Sequence, residues 1–113
     1  MSKLPPSPKN QTGAAKPQLQ LIPPVASRIM AASLAVGAKH GPWNWRRQKI
    51  SLMQHLAAIK RHTDAIIDGA WRDEEGNSHL GAIMATAAII ADAFLFGTLI
   101  DDRPPSLKKR SRK

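Results

Sequence analysis

Residues 79–97 read HLGAIMATAAIIADAFLFG. From Ser78 a helix can run through Phe96, and it is apolar on nearly every side. Such a helix is either a membrane span or a helix buried all round. The run from Leu80 to Ile100 is long enough to cross a bilayer, and the basic residues beyond it would suit a cytoplasmic end. Asp92 opposes that reading, because a carboxylate near the centre of a span costs about 2.5–3.5 kcal/mol. The many Ala and Gly residues and the lack of an aromatic belt oppose it too. The helix therefore reads as the core of an all-α domain with no membrane partner. In a chain of 113 residues one subunit can bury little, so the expectation is a homodimer or higher homo-oligomer in which a second copy covers what one subunit leaves bare.

Two further helices precede this one. Pro23-Pro24 sets up a helix start, since proline is tolerated in a first turn where its missing N–H would go unpaired. A helix from about Pro24 to His40 places Val25, Ile29, Ala32 and Val36 on one face with Arg28 beside it, and Gly41-Pro42 ends it. The next begins after Ser51, whose hydroxyl can cap while Gln54 reaches back. Leu52, His55, Ile59, His62 and Ile66 form its apolar stripe, Lys60, Arg61, Asp64 and Asp68 lie off it, and Gly69 is a natural stop. No stretch alternates with period two, and no repeat is evident. The fold expected is a small helical bundle of about three main helices, completed by self-association. Its boundaries are an extended, Pro-rich arm over residues 1–18, an all-α domain over 19–103 and a basic tail over 104–113.

The net charge of +9 belongs to the ends. Lys3, Lys9 and Lys16 fall in the first twenty residues with no acid. Arg103, Lys108, Lys109, Arg110, Arg112 and Lys113 close the chain, again with none, while the stretch between is formally neutral. Such tails attract nucleic acid non-specifically and salt-dependently, or simply keep a protein soluble. No cysteine is present, which removes disulfide and thiolate chemistry and fits a reducing compartment. With no signal-peptide pattern at the N-terminus, the cytoplasm is the expected location.

The chain has no nucleophile elbow, phosphate-binding Gly-rich loop, zinc-finger spacing or HExxH. Asp73, Glu74 and Glu75 ahead of Gly76 could offer oxygen ligands to Mg²⁺; a solvated turn ahead of a helix start accounts for them as well. His79 could donate to a phosphate or act as an acid, or be an ordinary first-turn residue. His62 could face a site, or be a core histidine with a satisfied hydrogen bond. Asp92 is costly in an apolar helix unless paired or metal-bound, and its structural partners would be Arg28, Lys39 or Arg61. Asp92 and His79 point to different faces of a straight helix. In the stretch Trp43-Asn44-Trp45-Arg46-Arg47, the tryptophans could stack on a nucleobase with Asn44 reading its edge and Arg46 or Lys39 neutralising phosphate. They could equally plug an open end of the core, or form a surface for a protein or polynucleotide.

Several motifs in order resemble one known family. Lys16-Pro17 with Leu19, Leu21, Ile22, Pro23 and Pro24 matches its KPxLxLIPP opening, and Gly37-Ala38-Lys39-His40-Gly41 with Asn44-Trp45-Arg46 matches GAxKYGxxNWR. Arg61-His62, then Glu74 and Gly76 with His79-Leu80, then Leu99 to Pro104 complete the series. Residues 16–102 thus resemble the dATP/dGTP diphosphohydrolase N-terminal domain family of phages and bacteria, related to MazG-like all-α nucleotide pyrophosphohydrolases. The resemblance implies an all-α, dimeric, Mg²⁺-dependent enzyme of phage-type nucleotide metabolism, in an infected or bacterial cell. It would split a purine deoxynucleoside triphosphate into monophosphate and pyrophosphate. Carried over by position, Lys39, Asn44, Trp45, Arg46 and Arg61 would bind substrate, Glu74, His79 and His62 would serve catalysis, and Glu74 with Asp73 or Asp92 would hold the metal. The chain departs from the family pattern in having His40 for a tyrosine, Arg72 at a commonly acidic position and Ala82 where a second histidine often follows. It also lacks the paired ExxE carboxylates of MazG-like enzymes. The reading from outside enzymology is a small basic helical dimer that binds nucleic acid or a host protein.

Overall fold

Two serines and a glycine mark out the main helices of the domain. In the computed structural model, which describes residues 7–107, Ser51 Oγ accepts from Gln54 N (3.1 Å) and Ser78 Oγ accepts from Gly81 N (2.9 Å). Each satisfies an N–H that a helix start would leave unpaired. The helices that follow are α4 (Leu52–Ile67) and α5 (His79–Phe96). Gly97 ends α5 in the left-handed region (φ 93°), with its N–H and that of Thr98 both directed to Ala93 O. Upstream lie α1 (Pro8–Ala14), α2 (Pro24–Gly37) and the single turn α3 (Asn44–Arg47), with 3₁₀ turns at Leu19–Leu21 and Ala38–His40.

The protein is all-α, with α5 at its centre and α2 and α4 packed on it. Its buried positions, Gly81, Ala85 and Ala93, are all small. Small residues let backbones approach, and at Gly81 a Cβ would lie 2.6 Å from Ile29 O of α2. By length and composition α5 could cross a membrane, yet it is flanked by two amphipathic helices and carries a paired Asp92 on the side of α3. Three of its eighteen residues are buried.

Four sequence expectations change. The arm is not wholly extended, because Ser7 caps α1 through Asn10 N (3.1 Å) and Pro8 fits its first turn. The face that α2 turns inward contains Ala26, Ile29, Ser33 and Leu34, whereas Val25 and Val36 are exposed. The close crossing at Gly81 accounts for this rotation, since it favours small side chains over branched ones. Asp92 does not pair with Arg28, Lys39 or Arg61; its partner is Arg46. Finally, a minimal parallel pair joins β1 (Ile50–Ser51) to β2 (Leu99–Ile100), Ile50 opposite Leu99. Two residues are too few to leave a period-two trace. Residues 1–6 of the arm, and Lys108, Lys109, Arg110, Arg112 and Lys113 of the basic tail, lie outside the described residues.

Replacing Gly81 by Ala forces a methyl against the Ile29 carbonyl. We expect a loss of about 1–3 kcal/mol, as for overpacked cores, read as a fall in Tm of about 4–8 °C per kcal/mol. Ala82→Gly on the same helix, away from the crossing, would cost no more than about 1 kcal/mol.

Candidate functional site

The segment between α2 and α4 is held by Asp92. Its Oδ2 accepts from Trp45 Nε1 (2.7 Å) and from Arg46 Nε (2.7 Å), and its Oδ1 accepts from Arg46 Nη2 (2.8 Å). The fork of the guanidinium matches both carboxylate oxygens, a geometry lysine cannot supply. Arg46, and secondarily the Trp45 indole, hold the Asp92 carboxyl down at about 2. Thr98 Oγ1 donates to Trp45 O, tying the same turn to the residues after α5.

This anchoring sets the neighbouring rings. Trp43 takes a left-handed backbone conformation (φ 62°), uncommon for a bulky residue. Its ring lies 5.3 Å from that of Trp45, and the Arg46 guanidinium sits 4.6 Å from its centroid. Trp43 remains 53% exposed, so a large ring is fixed in place with half its surface uncovered. It helps line a cavity of about 580 Å³ together with Asn44, Trp45, His40, His55 and Ile89. His55 Nδ1 donates to Ser51 O (2.7 Å), since a carbonyl can only accept, and Nε2 is left as an acceptor. Asp102 secures the base of α4, accepting from Ser51 Oγ and from Met53 N (2.9 Å).

A second cluster lies at the start of α5. His62 and His79 meet at 2.9 Å between their Nδ1 atoms. In a neutral pair one Nδ1–H donates to the other, bare Nδ1. The pair therefore presents one bare Nε2 and one Nε2–H, a proton acceptor beside a donor. Burial, then the proximity of His79 and Arg61, lowers the pKa of His62, with Asp73 opposing. Asp73 itself organises the acidic turn: its Oδ1 accepts from Asn77 N and Glu75 N (both 2.9 Å), and its carboxyl is held below the usual range by these bonds. Arg72 Nη1 donates to Gly76 O (2.8 Å). Arg72 lines a smaller cavity of about 200 Å³ with Arg28, Ser33, Asn77 and Ser78. Ser33 borders both cavities, so they adjoin along α2.

The structure thus sorts the residues singled out on sequence. His62 and His79 come together, and Asn44, Trp43 and Trp45 share one cavity. Trp45 and Arg46 direct their polar groups to Asp92, a positioning role, and Trp45 also lines the larger cavity. Lys39, Arg61 and Glu74 are exposed and line neither cavity, and neither do His62 and His79, although His79 follows directly on Ser78 of the smaller one. The expected metal set does not assemble. Asp92 and His79 are thirteen residues apart on one helix, a rise of about 20 Å, Asp73 is turned into its own loop, and Asp92 is already paired. Among the described residues no three His, Asp or Glu side chains converge on one point. Asp92 is therefore too far from the acidic turn to share an ion with Asp73 and Glu74, which remain neighbours in that turn. Sequence reasoning missed Arg72 with Arg28, because their proximity depends on how α2 crosses α5. It passed over His55 as one more member of a stripe.

These features define a small all-α domain whose central helix has a tryptophan-walled cavity near its middle and a histidine pair at its start. The chain belongs to the family described as dATP/dGTP diphosphohydrolase, N-terminal, whose pattern matches residues 6–103. No curated protein and no solved structure matches the chain.

The lowered pKa of His62 has a consequence for stability. Between its folded value and the ordinary 6.5, the unfolded chain binds the proton more readily, so stability is complete above about pH 6.5 and falls as pH drops below it. Thermal melts from pH 8 to pH 5 should show this loss, and His62→Gln should flatten the slope over that interval.

Proposed function

We propose that this chain binds a purine deoxynucleoside triphosphate across the two adjoining cavities and hydrolyses it to the monophosphate and pyrophosphate. The observation that carries the reading is the shared wall at Ser33, with an aromatic, largely apolar cavity on one side and a two-arginine cavity on the other. The larger cavity is within the usual range for a small-molecule site of about 300–1,000 Å³. There the base stacks on Trp43, with the Asn44 amide and His55 Nε2 available to its polar edge. Arg28 and Arg72 neutralise phosphate oxygens in the smaller one. The family name supports the substrate class.

In the hydrolytic step, water oxygen attacks the α-phosphorus, the bond to the bridging oxygen breaks, and pyrophosphate leaves. The histidine pair lines neither cavity but adjoins the smaller one through Asn77 and Ser78, which precede His79; from there its bare Nε2 would take the proton from water while the neighbouring Nε2–H would stabilise the departing charge. Burial, which lowers the pKa of His62, favours its neutral form as a proton acceptor. Mg²⁺ belongs to this proposal as the counter-ion that the triphosphate brings with it, not as an ion caged by Asp73, Glu74 and Asp92.

Purified protein with dATP or dGTP and Mg²⁺ should release pyrophosphate. His62→Gln and His79→Gln should each lower kcat by about 10²–10⁴-fold, and Arg28→Ala with Arg72→Ala should raise KM while leaving kcat nearly intact. Pyrophosphate release that is absent in the wild type, or unchanged in both histidine variants, would contradict the reading.

A further inference from the structure

The first acid in the chain is Asp64; no Asp or Glu precedes it. Within that acid-free stretch Lys39, His40, Arg46, Arg47 and Lys49 crowd into the segment between α2 and α4, interleaved with Trp43 and Trp45. The fold leaves the segment on the surface. Lys39, His40, Trp43, Arg47 and Lys49 are exposed, and Lys39, Arg47 and Lys49 form no salt bridge among the described residues. The carboxylates close to the segment in the fold are already engaged. Asp92 holds Arg46 and Trp45, Asp102 accepts from Ser51 Oγ and Met53 N, and Asp101 pairs with Arg103.

A further ring joins the segment from the end of α5. The Arg46 guanidinium lies over the Trp43 ring, 4.6 Å from its centroid, and over the Phe96 ring, 5.1 Å from its centroid. The bidentate contact with Asp92 fixes that guanidinium. Both rings are thereby held in place while 53% and 54% exposed. Phe96 lines neither cavity of the nucleotide site, so the proposed hydrolysis gives it no task.

We infer that this surface binds single-stranded DNA, with bases stacking on Trp43 and Phe96 while Lys39, Arg47 and Lys49 neutralise backbone phosphates. Fixed aromatic rings among unpaired cations suit unpaired bases on a charged backbone. A duplex would meet the cations but hide the faces of its bases, and an acidic protein would meet the cations without using the rings. Stacking reads no base edge, so the surface tolerates any sequence. The chain ends, residues 1–22 and 103–113, add charge but no aromatic ring, so their attraction for polyanions is separable from this one. The inference requires neither hydrolysis nor the two-arginine cavity.

Fluorescence anisotropy of labelled oligodeoxythymidylate, and of its duplex with oligodeoxyadenylate, titrated with the full chain tests this. Phe96→Ala should weaken binding of the single strand about 5- to 150-fold, the worth of one stacked base, and leave the duplex unchanged. Phe96→Trp, which keeps a ring, should bind the strand at least as tightly as the wild type. Both variants are compared at helix content matched by circular dichroism. The double variant Arg47→Ala, Lys49→Ala changes only exposed side chains and should reduce the slope of log affinity against log salt by about 1.4, at roughly 0.7 per phosphate contact on a single strand. No binding of the strand at tens of micromolar, no loss in Phe96→Ala, an equal loss on strand and duplex, or an unchanged salt slope in the double variant would each overturn the inference.

Discussion

The pairing of Asp92 with Arg46 and Trp45 determines the rest of the domain. The Asp92 and Arg46 side chains are 26% and 40% exposed, so what the pair contributes is chiefly the fixed geometry of a bidentate contact. One guanidinium and one indole N–H supply the donors, at 2.7–2.8 Å. In return, a four-residue helix too short to be stable by itself is fixed against α5. The Trp43 ring is then held under Arg46, and the chain emerges at Ile50 in register to pair with Leu99. Without Asp92 the tryptophan wall of the larger cavity would be held only by the Thr98 bond to Trp45 O and the Ile50–Leu99 pairing.

The second constraint is the contact of α2 and α5 at Gly81. It sets the depth at which α2 lies, and so decides that Ser33 borders two cavities and that Arg28 comes near Arg72. The contact also leaves α5 with a bare side. The histidine pair at one end of α5 and the Asp92 pairing toward the other are therefore two consequences of one helix being covered on two sides. The two ends differ in chemistry: the first joins two imidazoles through their Nδ1 atoms, the second holds a charged pair in place.

Much of this was legible in the sequence where the cause is local. Ser51 and Ser78 ahead of their helices announced both starts, and the His55–His62 spacing placed both rings on the inner stripe of α4. The family resemblance, carried by ordered motifs, agrees with the match over residues 6–103. What escaped depends on distant partners. Asp92 could be read as needing a cation, but Arg46 is forty-six positions away, and Arg28, Lys39 and Arg61 met the same requirement on paper. The inner face of α2 was misjudged because branched residues look more core-like than Ala26 and Ser33, and only the close crossing reverses that preference. The carboxylates of the acidic turn had the composition of a metal site, but Asp73 spends its oxygens on the N–H groups of its own loop. The two tryptophans share the cavity but differ in role: Trp45 bonds Asp92, while Trp43 leaves half its surface uncovered.

The central claim is that the Asp92 pairing holds the cavity open in a shape that accepts the nucleotide. Tryptophan fluorescence during titration with dATP, compared between the wild type and Asp92→Asn at matched helix content by circular dichroism, tests it most directly. Saturable quenching in the wild type that is lost in Asp92→Asn is the result expected. Equal quenching and equal affinity in the two proteins would contradict it.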